Sequence, residues 1–564
     1  MGNKYVLSKY LQNIGLFAVA LLLCLLLLHT KGYAYSKPPI PTPPFHPSII
    51  APGDSYNASD VVGQPDFTSS TCSSGLTGYC PDWASATAID AVHHRLFMSD
   101  YNNSRILVYQ LNNQDKFTDS SPHTPSYVLG QPDLNNNFYN SNCTTINPST
   151  TCEPYGMVYD SVNNRLFVED TSNRVLVFDF SNGISSGMDA SYVLGQPDFA
   201  SHGNGLTQNQ FCGVYGGVAL DQKGGFLYVN DGSCSRVMVF NVNPGTISSG
   251  MDASYVLGQP DFTTSNSNQL TANSTNAPDY SGLTFDNVHK RLFVIDSYYN
   301  RVMIFDMSHG VSTNMDASYV LGQPDLTTYN NGSCSVNSFE YNEGIGYDPK
   351  NQELFIEDEI CNRVMIFDLS QGIINGMNAS MVLGQPDFTS SNYPATSQSS
   401  IKYPYDTNID FDNTNNTFYF GDGYNNRTLP FSFVKINQDV LPNPSLNQAY
   451  SQTISHSNSQ GTVTYSLSSG VLPPGLSFDP ATGLISGTPT TSGSYTFSIT
   501  AKDDNGTVGY YKDTNTYTLT VSAKTPATGF GINSNNPTLS ILIFTTFAIA
   551  ISATGVFIRK LNKV

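Results

Sequence analysis

One phrase constrains this chain more than any other feature. Tyr-Val-Leu-Gly-Gln-Pro-Asp-Phe recurs six times with small variations, its glycines at Gly63, Gly130, Gly195, Gly258, Gly322 and Gly384, 62 to 67 residues apart. So long and regular a period describes one supersecondary unit copied in series, each copy burying a face that it cannot bury alone. Three further runs rich in β-branched and aromatic residues lie between phrases, divided by Asn, Asp and Gly turns. The fourth unit reads Ser-Gly-Leu-Thr-Phe-Asp286, Lys-Arg-Leu-Phe-Val-Ile-Asp296, Asn-Arg301-Val-Met-Ile-Phe-Asp306 and Tyr319-Val-Leu-Gly322. Four antiparallel strands per unit are expected. The inner three recur as six sets, near residues 90–109, 160–179, 221–240, 286–306, 348–368 and 412–434.

The series opens on a lone phrase, Val61-Val62-Gly63-Gln64-Pro65-Asp66, and closes on a set that lacks one. The ends should therefore complete each other, with residues 60–64 pairing against Phe431 to Val434 and removing the open edges of the array. The expected fold is all-β: a six-bladed β-propeller of four-stranded blades over residues 59–436, closed by its N-terminal strand.

With 44 acidic against 25 basic residues and a formal charge of −19, the chain lacks the clustered Lys and Arg that phosphate neutralisation needs, which excludes nucleic acid as a partner. Its flanks carry export and anchoring signals. Lys4 and Lys9 precede an apolar run from Ile14 to Leu28, which reads as a secretory signal over residues 1–34, cleaved after Ala34 or retained as an anchor. Residues 35–58 form a spacer, with seven prolines between Lys37 and Pro52. At the other end, residues 538–558 are a 21-residue apolar run followed by Arg559, Lys560 and Lys563, which reads as a transmembrane helix with a cytoplasmic tail over residues 559–564.

Stretches such as Arg165-Leu-Phe-Val-Glu-Asp170 followed by Asn173-Arg174-Val-Leu-Val-Phe-Asp179 make the six sets resemble the NHL-repeat propellers, with units longer than is typical of that family. After Val440 the composition changes. Leu472-Pro-Pro-Gly-Leu-Ser-Phe-Asp-Pro-Ala-Thr-Gly-Leu-Ile-Ser-Gly-Thr-Pro489, with the alternation of Tyr495, Phe497 and Ile499, resembles the immunoglobulin-like or cadherin-like modules of microbial surface proteins. This implies a β-sandwich over residues 437–523. In the linker, residues 524–537, Thr525-Pro-Ala-Thr528-Gly529 resembles the Leu-Pro-x-Thr-Gly sorting signal of wall-anchored bacterial proteins, with Thr in the place of Leu. That resemblance implies a sortase cut between Thr528 and Gly529; a plain membrane anchor is the alternative.

Apart from Cys24, eight cysteines remain, and an exported body permits oxidation. Proximity within loop regions suggests the pairs Cys72–Cys80, Cys143–Cys152, Cys212–Cys234 and Cys334–Cys361. In the last two, one cysteine sits two residues before a hairpin arginine (Arg236, Arg363) and the other in the loop entering the same blade.

The acids that end each second strand, Asp100, Asp170, Asp231, Asp296, Asp358 and Asp422, read as structural: repetition argues for a blade requirement, met by turn amides and the arginine that follows. More specific is the entry to each inner strand, where an aromatic recurs as Trp83, Tyr155, Tyr215, Tyr280, Tyr341 and Tyr405. Acids accompany them at Asp82, Glu153, Asp279, Glu340 and Asp406. Such a ring could stack on sugars, or its carboxylates could hold Ca²⁺; blade packing is the plainer reading. His93, His94, His123, His202, His289 and His309 occupy no equivalent set, and no hydrolase elbow or metalloprotease motif occurs. The expected function is that of a surface-displayed bacterial binding or adhesion protein that recognises a glycan, peptide or partner cell surface through propeller loops. The alternatives are an extracellular lactonase- or lyase-like propeller enzyme with an axial metal, and a structural envelope protein.

Overall fold

A computed structural model describes residues 56–71, 80–135, 145–267, 269–276, 281–393, 395–401, 409–504 and 510–522. The expected signal, nearly all of the spacer, the Thr528–Gly529 motif and the apolar run at 538–558 lie outside them. Among the described residues no helix is long and apolar enough to cross a membrane.

The protein is all-β. Five four-stranded antiparallel sheets follow one another, each with its strands in chain order. The first runs Thr87–Asp90, Arg95–Asp100, Arg105–Gln110, Tyr127–Leu129; the fourth runs Leu283–Asp286, Arg291–Asp296, Arg301–Asp306, Tyr319–Leu321. A sixth sheet has three strands, Asp410–Asp412, Thr417–Asp422 and Arg427–Ser432. Second strands such as Arg95–Asp100 and Arg165–Asp170 are buried along their whole length. Polar and apolar positions do not alternate there because neighbouring sheets cover both faces.

The first strand of each sheet lies against the first strands of the sheets before and after it, and the sixth lies against the first. An apolar cluster fills each of these junctions. Between the second and third sheets, for example, Phe167, Val175 and Val177 pack on Val218, Leu220 and Val229. The repeated phrase forms each fourth strand and a tight turn. Gly195 has φ +77°, and a Cβ there would come within 1.8 Å of the Phe211 ring, so the position admits only glycine.

The lone N-terminal phrase does join the sixth sheet, through an antiparallel bridge between Val62 and Thr428 and a bond from the Ser59 amide to the Pro430 carbonyl at 2.7 Å. Its register differs from the expected pairing with Phe431 to Val434. The Gln64 side chain must reach the Asn426 carbonyl at 3.0 Å, as Gln196 reaches that of Asn173 and Gln385 that of Asn362. Phe431 and Val434 instead join an apolar cluster that continues into the C-terminal module.

That module has two three-stranded sheets, Tyr450–Thr453, Leu484–Gly487, Leu476–Asp479 and Thr462–Gly470, Gly493–Asp504, Tyr511–Val521, with a short pair Lys435–Ile436 and His456–Ser457. Its last strand alternates buried with half-buried and then exposed positions from Tyr511 to Val521, which gives it one face on the core. Lys512 lies between Asp368, with which it pairs, and Glu353 at 3.9 Å, while Lys350 reaches Asp513 at 2.7 Å. Burial works against the Lys512 ammonium, but Glu353 and Asp368 outweigh it and raise its pKa.

Candidate functional site

Six fully buried arginines organise the loops around which any site must be built. Each pairs with the aspartate ending its second strand, as Arg105 does with Asp100 at 2.6 Å and Arg301 with Asp296 at 2.7 Å; Arg174, Arg236, Arg363 and Arg427 repeat the contact on Asp170, Asp231, Asp358 and Asp422. Each also donates to the carbonyl closing the Gly-Gln-Pro-Asp turn, from Arg105 on Leu134 to Arg427 on Phe67. The carboxylates in turn accept amides of the loop entering the first strand, those of Asp82 at 2.7 Å, Cys152 at 2.8 Å and Glu340 at 2.9 Å among them. Burial raises the Asp358 carboxyl to about 6, against the opposing pull of Arg363. These acids are occupied in holding loops.

The expected ring of entry aromatics is not a ring of equivalent residues. Trp83, Glu153 and Tyr341 occupy one position, each in the left-handed region at φ 67°, 43° and 64°. The amides of Trp83 and Tyr341 both donate to the side-chain oxygen of the turn asparagine in the preceding sheet, Asn426 or Asn300, at 2.9 Å. Tyr155 lies two residues further along, 1% exposed and edge-on to Tyr101, so it cannot meet a ligand at the surface. A register shift between Pro154 and Met157 carries it inside. Tyr215 and Trp83 are half-buried, Tyr341 is exposed, and Tyr280 and Tyr405 lie outside the described residues.

Nor do the accompanying acids converge among the described residues. Asp82 is exposed and its carboxylate accepts from the Asn102 side-chain Nδ2 at 3.1 Å, whereas Glu153 is held by the Tyr101 hydroxyl at 3.2 Å and the Thr171 hydroxyl at 3.3 Å; Asp279 and Asp406 lie outside. Glu340 stands beside Cys334 and Cys361, and Asp231 beside Cys212 and Cys234. Both cysteine pairs are disulfides, with Cα atoms 5.7 Å apart, so their sulfurs are not thiolate ligands. Cys80 and Cys152 are disulfide-bonded too; Cys72 and Cys143, their expected partners, lie outside the described residues.

An exposed aromatic patch gathers instead around the turn of the fourth sheet. Tyr298, Tyr329, Tyr341 and Ile360 are 41 to 54% exposed. The Tyr299 ring lies 5.1 Å from that of Tyr298 and 5.5 Å from that of Tyr329, edge-on to both, with Arg301 over its face at 5.4 Å. Beside the patch runs a groove of about 380 Å³ lined by Gln323, Asn330, Asn331, Ser333, Ser335, Asn337, Ser338 and Asn375, together with Gly322, Pro324 and Gly376. Gln323 links the two, donating to the Tyr299 carbonyl at 3.0 Å and accepting from the Asn330 amide at 2.9 Å. The groove wall is fixed by Arg363, which donates to the carbonyls of Ser335 and Ser338 at 3.0 Å, and by the Cys334–Cys361 bridge.

A second feature escaped sequence reasoning. One residue before the closing aspartate, the second strands carry Ser99, Glu169, Asn230 and Glu357, all buried. Glu169 accepts from the Gly216 backbone amide at 2.8 Å, Asn230 lies against the same glycine, and the Asn230 side-chain Nδ2 donates to the Ser281 carbonyl at 3.1 Å. Burial raises the Glu169 carboxyl to about 8, the Gly216 bond opposing it, and among the described residues no Lys or Arg pairs with it. The signal was visible as an acid inside an apolar strand.

Residues 432–522 match the family described as "Putative Ig domain". No curated protein matches the chain. Among solved structures it is similar to a structural genomics protein of unknown function from Bacteroides thetaiotaomicron VPI-5482, at 13% identity and a TM-score of 0.37, over 67% of this chain and 76% of that one.

Proposed function

We propose that this chain is a surface-displayed binding protein whose six sheets are the blades of an NHL-type propeller, held outward by the immunoglobulin-like module. The cyclic order of first-strand neighbours and the docking of the N-terminal phrase on the sixth sheet support the propeller reading. On this reading residues 1–34 direct export, and the segment from Thr528 to the basic tail tethers the body to the bacterial surface, by sortase or by a membrane helix. Many tethered copies would raise weak affinities.

The observation that carries the binding reading is the exposed patch of Tyr298, Tyr329, Tyr341 and Ile360 on loops stiffened by a disulfide and a buried arginine. Conserving shape while exposing aromatics is what a recognition surface needs, since rigid rings add contact area at low entropic cost. The test is adhesion. Beads coated with the full chain should be retained on intact cells or envelope fragments, and a Tyr298→Ala, Tyr329→Ala, Tyr341→Ala variant should lose retention while keeping its melting temperature. Equal retention of both would remove this surface from the reading.

A further inference from the structure

We infer that the groove beside Tyr329 is a subsite for a neutral glycan, one or two pyranose rings wide, with Tyr329 as its stacking face. This rests on the binding reading above and names its ligand class. The lining decides the chemistry. It consists of amides, hydroxyls, glycine and proline, with no Lys, Arg, Asp or Glu. Such a surface offers no counter-charge to an anionic sugar, a phosphate or a charged peptide, and the −19 charge of the whole chain disfavours polyanions further.

Amides and hydroxyls are what a polyhydroxylated ligand requires, since each can donate and accept within one small area. Asn375 is already oriented: its Oδ1 accepts from the Val320 amide at 3.1 Å, which leaves the Nδ2 hydrogens as donors. Asn331 is exposed within the groove. Tyr329 does not line the groove itself but directly precedes its lining residue Asn330; 41% exposed and braced edge-on by Tyr299, it is the aromatic we assign as the flat apolar face for the C–H side of a sugar ring. The volume of about 380 Å³ is at the small end of small-molecule sites, which run from about 300 to 1,000 Å³. It suits a short terminal saccharide better than a long polymer.

The test is binding of the full chain to an array of neutral hexose and N-acetylhexosamine oligosaccharides printed beside sialylated and sulfated ones. Neutral glycans should bind, and Tyr329→Ala and Asn331→Ala should each weaken them at least tenfold with unchanged circular dichroism melts. Tyr424→Ala, at the position in the sixth sheet that Tyr298 holds in the fourth, should leave them unchanged. Binding confined to anionic glycans, or equal binding by both groove variants, would overturn the assignment. If no glycan binds but beads still lose cell retention in the patch variant, the glycan is wrong and a protein partner takes its place. If retention is also unaffected, both readings fall.

Discussion

The ring of Tyr56 lies 4.3 Å from that of Tyr511, and Tyr511 in turn stacks on Phe433 at 4.2 Å and 10°. The Tyr56 hydroxyl donates to the Ser432 carbonyl at 3.0 Å and to that of Asn458 at 3.1 Å. The N-terminal segment, the sixth sheet and the C-terminal module thus share one apolar cluster. A freely hinged stalk would not.

Tyr511→Ala should therefore cost about 3–5 kcal/mol, the range for losing a large buried aromatic. In calorimetry the wild-type module and sixth sheet should unfold together, and the variant should show a separate, lower transition for the module. Two transitions in the wild type would contradict the shared core.

Arg301→Met leaves the buried Asp296 without its cation and frees the turn at Leu326. Breaking one partner of a buried pair typically costs about 3–5 kcal/mol. Hydrogen exchange should rise first in residues 271–276 and 322–327, which Arg301 and Gln323 hold.

His123 joins Asp119 at 2.9 Å to Asp60 of the N-terminal segment at 3.1 Å. Burial opposes its charge, but the two carboxylates outweigh it, so the folded pKa stands above the ordinary 6.5. The stabilisation is complete below 6.5 and is lost as pH rises through the folded value. Protease cleavage near residues 56–66 should accelerate with rising pH in the wild type, and His123→Gln should be fast and pH-independent.

Glu169 behaves in the opposite direction from a salt-bridged acid. With a folded pKa of about 8 against an ordinary 4.5, the native state holds a proton that the unfolded chain has released. Stability should fall with rising pH between those values, by roughly 1.4 kcal/mol per unit from this group. Urea melts at pH 5 and pH 8 should differ less for Glu169→Gln than for the wild type.

Replacing Cys334 and Cys361 together by Ala should cost about 2–4 kcal/mol, because the bridge closes a loop across a sequence separation of 27. Retention of coated beads should fall more than the melting temperature alone explains, since the bridge braces the groove wall. Unchanged retention would show that Arg363 suffices.

Much of the architecture was legible in the chain. The repeated phrase announced six strand sets, and the Asp and Arg of each hairpin announced their pairing, because local turn chemistry repeats wherever the local sequence does. Cys212–Cys234 and Cys334–Cys361 followed from their places around one hairpin. What failed was the entry to the first strands: the register shift at Pro154/Met157 carries Tyr155 inward, and the one at Asn342/Ile345 carries Glu343 inward while Tyr341 stays exposed, neither altering the neighbours in sequence. The patch of Tyr298, Tyr329 and Tyr341 was hidden because its members belong to different loops and only the fold brings them together. Glu169 was hidden for another reason. A single acid in a strand normally marks a solvent face, and here both faces are covered.

The bridge between Val62 and Thr428 sets a timetable for the chain. Tyr56 and its acceptor Ser432 are 376 residues apart, so this early segment waits for the sixth sheet before it has a place. At about 5–20 residues per second, synthesis alone imposes a delay of roughly 20 to 75 s. Until the two meet, the phrase around Val62 and the strand Arg427–Ser432 each lack a partner, the state in which two nascent copies can satisfy each other instead of themselves. Crowded production should therefore favour exchanged dimers, joined through the very segment that completes the monomer.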